Sequence, residues 1–232
     1  MLPTPRVLVF DIFGTVVDWH GSIVAELSAR HPRLDADAFA RAWRAGYQPA
    51  MEAVRSGGRG FVKLDVLHRE ILDGILPRFG LGHLGEAERA ELNRVWHRLA
   101  PWPDSVAGLT RLKARFTIAS LSNGNIGLLT AMAKRAGLPW DCVLSAEVFR
   151  AYKPDPRTYL GVAEVFDVRP QEVMLVAAHH DDLAAARANG LQTAYIERPL
   201  EFGAAHPKDV SPDPANTLHA TDLLHLAGQL GC

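Results

Sequence analysis

Five short apolar runs stand out along the chain, at residues 7–10, 116–121, 142–144, 173–178 and 193–196. A run this short and this largely apolar is the pattern of a strand covered on both faces. Between the later runs the period changes. Residues 125–136 carry Ile126, Leu129 and Met132 at helical spacing and stop at Gly137; residues 156–166 and 182–189 read likewise, the last stopping at Gly190. Glycine after such a run is a common helix stop because it accepts a left-handed backbone. Strands alternating with helices predict an α/β fold, a doubly wound (Rossmann-like), mostly parallel sheet with right-handed crossovers and helices on both faces.

The interval 20–99 breaks the alternation and reads as an inserted all-helical unit. Phe39, Trp43 and Tyr47 recur every four residues; Leu64, Leu67, Ile71 and Ile75 line a second face, and Leu92, Val95, Trp96 and Leu99 a third. The loop Ser56-Gly57-Gly58-Arg59-Gly60 interrupts it. The expected organisation is therefore a core of residues 1–19 and 100–232 with a helical cap at 20–99. Charged stretches such as 86–94 read as solvated helix faces, and 204–216 as a surface loop before a final helix at 221–230.

Composition narrows the function classes. Of 232 residues 48% are hydrophobic, enough for a packed interior, and the formal charge of -1 offers no field for nucleic acid or an anionic membrane. No stretch approaches the ~18 consecutive apolar residues of a spanning helix, and no leader pattern opens the chain, so a cytoplasmic protein is expected. Cys142 and Cys232 form no recognisable metal or disulfide framework. An exposed aromatic stripe would support a homodimer.

Four polar clusters follow the strands. Asp11 ends the first run and is followed by Gly14-Thr15; Ser122-Asn123-Gly124 opens a helix, where free backbone N–H groups favour an anion. Tyr152-Lys153-Pro154-Asp155-Pro156 comes next, and Ala177-Ala178-His179-His180-Asp181-Asp182 ends the fourth run. Each alone is also an ordinary turn or helix entry. Together they fall at the carboxyl edge of one sheet, where such folds bind their ligands.

In that order the clusters resemble the motifs of the haloacid dehalogenase superfamily over nearly the whole chain. The resemblance implies that Asp11 is a covalent nucleophile and that Lys153 keeps it ionised, with Thr15 and Asp182 completing the catalytic set. Two departures direct the chemistry. Phe13 stands where phosphatase members carry an acid/base Asp, and Ala178 where they carry a metal-binding Asp; Asp182 alone makes a poor Mg²⁺ site. A leaving halide needs no proton. The pattern looks like the metal-independent 2-haloacid dehalogenase branch, with no cofactor and a small haloacid as substrate. That branch's Trp-Arg pair corresponds to Trp43-Arg44, which implies a halide- or carboxylate-binding role for Arg44; Phe61 and Tyr159 match aromatic positions around the site. Backbone groups of Ile12 and Phe13, with Ser122 and Asn123, would hold the substrate carboxylate. Branch members carry Ser-Ser-Asn where this chain reads Ala177-Ala178-His179, so His179 becomes a candidate water-activating base, oriented by Asp18 or Asp182, or else a helix cap. The alternatives are a Mg²⁺-dependent small-molecule phosphatase and a binding protein that keeps the fold without turnover.

Overall fold

The computed structural model describes residues 3–58 and 60–232, so Arg59 of the glycine loop lies outside the described residues. In chain order the elements are β1 (Val7–Phe10), β2 (Val17–Asp18), α1 (Trp19–Arg30), α2 (Ala36–Ala45), α3 (Tyr47–Ser56), α4 (Leu64–Ile75), α5 (Glu86–Asn93), β3 (Ala100–Pro101) and α6 (Ser105–Lys113). Then follow β4 (Thr117–Ser122), α7 (Ile126–Ala136), β5 (Cys142–Ser145), α8 (Ala146–Phe149), α9 (Pro156–Val165), β6 (Val173–Ala177), α10 (His180–Ala188), β7 (Gln192–Ile196), β8 (Leu218–Ala220) and α11 (Leu223–Gln229).

Six strands form one sheet in the order β5-β4-β1-β6-β7-β8, every neighbouring pair parallel. The all-apolar β1 is in the middle, with Val7 level with Thr117 on one side and Val173 on the other. Its alternate residues feed two cores. Leu8 and Phe10 pack with Leu112 of α6, Met132 of α7 and Leu226 of α11, whereas Val7 and Val9 pack with Val162 of α9 and Leu183 of α10. The chain winds from β1 to one side of the sheet and then to the other, which puts the switch point, and the ligand crevice it creates, at the end of β1.

The expected α/β architecture is present, with three strands that the apolar runs did not announce. β8 is only Leu-His-Ala, half-buried at the sheet edge, and the antiparallel pair β2 and β3 has two residues in each strand, too few to show a period. α10 starts at His180, earlier than its apolar residues suggest, and the final helix occupies Leu223–Gln229 within the expected interval.

Helices α1 to α5 lie between β2 and β3, whose pairing of Val17 with Pro101 ties entry to exit. The aromatic stripe is divided: Phe39 and Trp43 belong to α2, and Tyr47 opens α3 after Gly46, where an added Cβ would lie 2.5 Å from Ile71 Cγ2. All three aromatics are buried, so the stripe is interior packing and offers nothing to a second copy of the chain. This interior is continuous with one face of the sheet. Phe13 meets Trp96 edge-on at 5.6 Å between centroids, and Trp96 meets Trp43 at 5.5 Å. Among the described residues no helix is long and apolar enough to cross a membrane.

Helices α6 and α11 approach through Gly108, where a Cβ would fall 2.5 Å from Leu223 Cβ and 2.8 Å from its carbonyl carbon. Gly108→Ala should therefore destabilise the protein by about 1–3 kcal/mol in urea unfolding. Helix propensity alone would favour alanine by about 1 kcal/mol, so a gain in stability would contradict this packing.

Candidate active site

Asp11 is the first residue past β1, and its N–H extends the ladder by donating to Val176 O at 3.0 Å. Gly14 takes φ +85°, which lets the chain turn beneath the carboxylate; a Cβ there would lie 2.2 Å from Glu201 Oε1. The turn delivers Thr15, whose hydroxyl donates to Asp11 Oδ2 at 2.8 Å and accepts from the Ala178 N–H at 2.9 Å. The strand ends of β1 and β6 are thus joined through one hydroxyl.

Lys153, in the turn before α9, donates to Asp11 Oδ1 at 2.9 Å and also to Asp182 Oδ2. Tyr159 donates to the other Asp182 oxygen at 2.7 Å. All three charged groups are nearly enclosed. Burial pushes Asp11 upward, yet Lys153 and His179 outweigh it and hold the carboxyl well below the usual range, so Asp11 is anionic at neutral pH. Burial, with the charge of Asp11 added, pushes Asp182 up against the pull of Lys153. Lys153 is itself held above the ordinary lysine value, burial being outweighed by the two carboxylates.

A second charged chain runs behind Asp11. His179 Nδ1 lies 3.1 Å from Asp11 Oδ2, and its Nε2 lies 2.9 Å from Glu201 Oε1. Glu201, fully buried, accepts at Oε2 from Lys208 at 2.6 Å and at Oε1 from the Trp19 indole at 3.3 Å; Lys208 also donates to the Ala178 carbonyl. Burial would lower the His179 pKa, but Glu201 and Asp11 raise it to about 9. Glu201 falls to about 2, burial being outweighed by His179 and Lys208. His179 is therefore an imidazolium at neutral pH. It precedes α10 without a side-chain cap bond, so capping is not its role. Nor do the expected partners orient it: Asp18 accepts from the Gly21 N–H to cap α1, and Asp182 is spent on Lys153 and Tyr159.

A cavity of about 130 Å³ opens onto these groups, lined by Asp11, Phe13, Asn123, Lys153, Tyr159, His179 and Asp182 from the core and by Arg44, Tyr47 and Gln48 from the insertion, with exposed Asp181 at its rim. The Arg44 guanidinium lies over the Tyr47 ring at 4.2 Å, and its buried Nη1 has no hydrogen-bond partner among the described residues. Of the residues singled out in the sequence, Thr15 touches Asp11 without reaching the cavity. Ile12, Ser122 and Phe61 are not in the lining. The Ser122 hydroxyl turns back to accept from the Gly124 N–H, and Phe61 packs on Tyr152 with centroids 5.1 Å apart. Asn123 accepts from the Lys153 N–H at 2.7 Å, which fixes the lysine turn. Gln48, Glu201 and Lys208 escaped the sequence reading, and Tyr47 entered it only as part of the aromatic stripe; an acid in a loop after the fifth apolar run is a faint signal, and Gln48 and Lys208 carried none.

The family model of haloacid dehalogenase-like hydrolases matches residues 5–190. The chain belongs to the haloacid dehalogenase-like hydrolases. It is 34% identical to (S)-2-haloacid dehalogenase 1 of Pseudomonas sp. (strain CBS-3), over 86% of this chain and 89% of that protein. Among solved structures it is similar to a defluorinating L-2-haloacid dehalogenase, with 50% identity and a TM-score of 0.93 over 98% of this chain and 96% of that one. It is also similar to L-2-haloacid dehalogenase from Xanthobacter autotrophicus with chloropropionic acid covalently bound, at 26% identity and a TM-score of 0.83 over 98% of both chains. Within this hydrolase family the present site does not fit a Mg²⁺ cradle: the Lys153 ammonium fills the bridge between Asp11 and Asp182, the Ala178 side chain has no ligand atom, and its carbonyl oxygen is taken by Lys208.

The raised His179 pKa fixes the sign of a stability change. A histidine whose folded value is about 9 against an ordinary 6.5 contributes fully below pH 6.5, and the contribution is lost as pH rises through about 9. Unfolding free energy measured in urea should therefore drop between pH 6.5 and 9.5 by up to about 3 kcal/mol, and His179→Gln should flatten that decline. An equal decline in the variant would place the titration elsewhere.

Proposed function

We propose that this chain is a hydrolase of carbon–halogen bonds that converts short (S)-2-haloalkanoates, haloacetates and fluoroacetate included, to 2-hydroxy acids through an ester on Asp11. The observation that carries the reading is Arg44, whose Nη1 has no hydrogen-bond partner among the described residues, on the wall of a small cavity that also holds an anionic, buried Asp11. Three carboxylates, Asp11, Asp182 and Glu201, already face three cations, Lys153, His179 and Lys208. Arg44 brings a further cation to the enclosed part of the cavity, where the one remaining carboxylate of the lining, Asp181, is exposed at the rim, and this suits a substrate with one carboxylate. A volume of about 130 Å³ suits a small acid. The similar dehalogenases support the same substrate class, and the covalently bound chloropropionic acid of the Xanthobacter protein supports a covalent step.

The chemistry follows from the donors around the nucleophile. Oδ2 accepts from Thr15 and from His179, whereas Oδ1 accepts from Lys153 alone, which leaves Oδ1 the freer lone pair. Oδ1 attacks the halogen-bearing carbon in line, the carbon–halogen bond breaks, configuration inverts and halide leaves into the cavity on the side opposite Oδ1. Phe13 and the cap, taken as residues 20–99, exclude water from this step, which strengthens the carboxylate as a nucleophile. Water then attacks the Asp11 carbonyl carbon, and the carbon–Oδ1 ester linkage to the enzyme is opened there. Phe13 supplies no proton, in keeping with a leaving group that needs none.

Halide release from chloroacetate, fluoroacetate and each enantiomer of 2-chloropropionate, measured with EDTA present, tests the reading. Activity is expected on haloacetates and on one enantiomer, with a loss of 10³-fold or more on the order of magnitude usual for a nucleophile in Asp11→Asn. Activity that survives in Asp11→Asn contradicts the mechanism, and Mg²⁺-dependent release of phosphate from p-nitrophenyl phosphate without halide release would favour the phosphatase alternative. In His179→Asn an alkylated Asp11 should accumulate on the intact protein, visible by mass spectrometry; unchanged turnover without adduct would remove His179 from the mechanism.

A further inference from the structure

Resting on the dehalogenase reading, the geometry points to Glu201 as the positioning residue of His179, holding the imidazole so that esterification of Asp11 turns it from a cation into the base that activates water. The ring stands between two carboxylates, 3.1 Å from Asp11 and 2.9 Å from Glu201. Only one of them survives the first half-reaction. When Asp11 becomes an ester it loses its charge, and with it goes one of the two attractions that keep His179 protonated. Glu201 remains, fully buried and itself held by Lys208 and Trp19, so it cannot follow the ring or swing away. The close approach of Gly14, where any Cβ would strike Oε1, removes the remaining freedom on that side. The other charged groups facing this region are Lys153 before α9, Asp181 and Asp182 in α10 and Arg44 of α2, which line the same cavity, and Lys208 after β7, which holds Glu201.

The tautomer is decided by the same contact. Glu201 accepts from Nε2–H, so the neutral ring carries its lone pair on Nδ1, the atom facing Asp11. Nδ1 and the ester carbonyl oxygen are then two acceptors and cannot bond directly. A water that donates to Nδ1 therefore comes from the cavity side, beside the 3.1 Å contact rather than within it, with its oxygen toward the carbonyl carbon.

The protons balance over the cycle. Esterification releases halide, and the imidazolium gives its Nδ1 proton to solvent, the one proton the overall hydrolysis liberates. Water then forms a bond to the Asp11 carbonyl carbon while its proton passes to Nδ1, restoring the imidazolium. As the tetrahedral species collapses, the carbon–Oδ1 bond breaks, and the departing alkoxide takes the hydroxyl proton left on that species. The products are the 2-hydroxy acid and the Asp11 carboxylate.

The test follows the Asp11 adduct in single turnovers with (S)-2-chloropropionate from pH 5 to 9, quenched for mass spectrometry, in the wild type and in Glu201→Gln. Adduct decay should accelerate with pH to a plateau in the wild type. In Glu201→Gln the accelerating limb should move to lower pH by about one unit, a tenfold loss of proton affinity, and the plateau should be at least tenfold slower. Decay that slows as pH rises would make His179 a hydrogen-bond donor to the carbonyl oxygen and overturn the assignment, as would identical profiles in the two proteins. An independent arm needs neither turnover nor the Glu201 variant. NMR titration of the His179 ring should show its proton affinity falling at least tenfold from wild type to Asp11→Asn, whose neutral amide stands in for the ester; equal titration in both overturns the coupling. Absence of halide release and adduct in the wild type would defeat the dehalogenase reading itself, while this titration would still judge whether Asp11 controls His179.

Discussion

A carboxylate kept charged where there is almost no water is the constraint on which this structure turns. Asp11 is enclosed at the end of the central strand, and burial alone would drive it toward the neutral acid. It stays ionised because three donors converge on it, one local and two distant in the chain: Thr15 from its own turn, Lys153 from before α9 and His179 from the end of β6. Each donor is itself anchored. Thr15 is tied to Ala178, Lys153 to Asp182 and Asn123, and His179 to Glu201. The parallel sheet supplies the rigidity this needs, since its strands deliver all these segments to one edge in fixed register.

The helical insertion contributes the other half of the site and is not an independent body. Its aromatic interior merges with the sheet face through Phe13 and Trp96, so the residue that replaces an acid at this position has a packing role as well. An apolar ring there joins the insertion to the core and lines the cavity beside Asp11. Arg44 then projects from the insertion with a nitrogen that has no hydrogen-bond partner among the described residues, complementary to Asp11 on the wall of the same cavity.

What could be read in the sequence divides along physical lines. The sheet and most of its helices were legible because burial on two faces imposes apolar runs and helical faces impose a period. Asp11, Lys153 and Asp182 were singled out through the resemblance to the haloacid dehalogenase motifs, whose clusters stand at strand ends and helix starts along the chain. Glu201 was not, since it comes from a stretch after β7 with no period, and its importance depends on a contact with His179 that only the folded chain creates. The same holds for the protonation of His179. An isolated histidine would be neutral over much of the range above its ordinary value, and the two carboxylates that reverse this are separated in sequence. The cap resists prediction for another reason: Tyr47 and Gln48 begin a new helix after Gly46, and a four-residue stripe gives no hint of that break. β8 and the β2/β3 pair are simply too short to carry a pattern.

The central claim is that the substrate carbon is bonded to Asp11 before water enters. A single turnover of (S)-2-chloropropionate in ¹⁸O-water, with enzyme in excess, tests this most directly. The account predicts that the heavy oxygen appears in the Asp11 side chain, found by mass spectrometry of its peptide, while the 2-hydroxy acid from that first turnover carries the light oxygen of the original carboxylate. Heavy oxygen in the product hydroxyl and none in Asp11 would mean that water attacks the substrate itself, and would contradict the account.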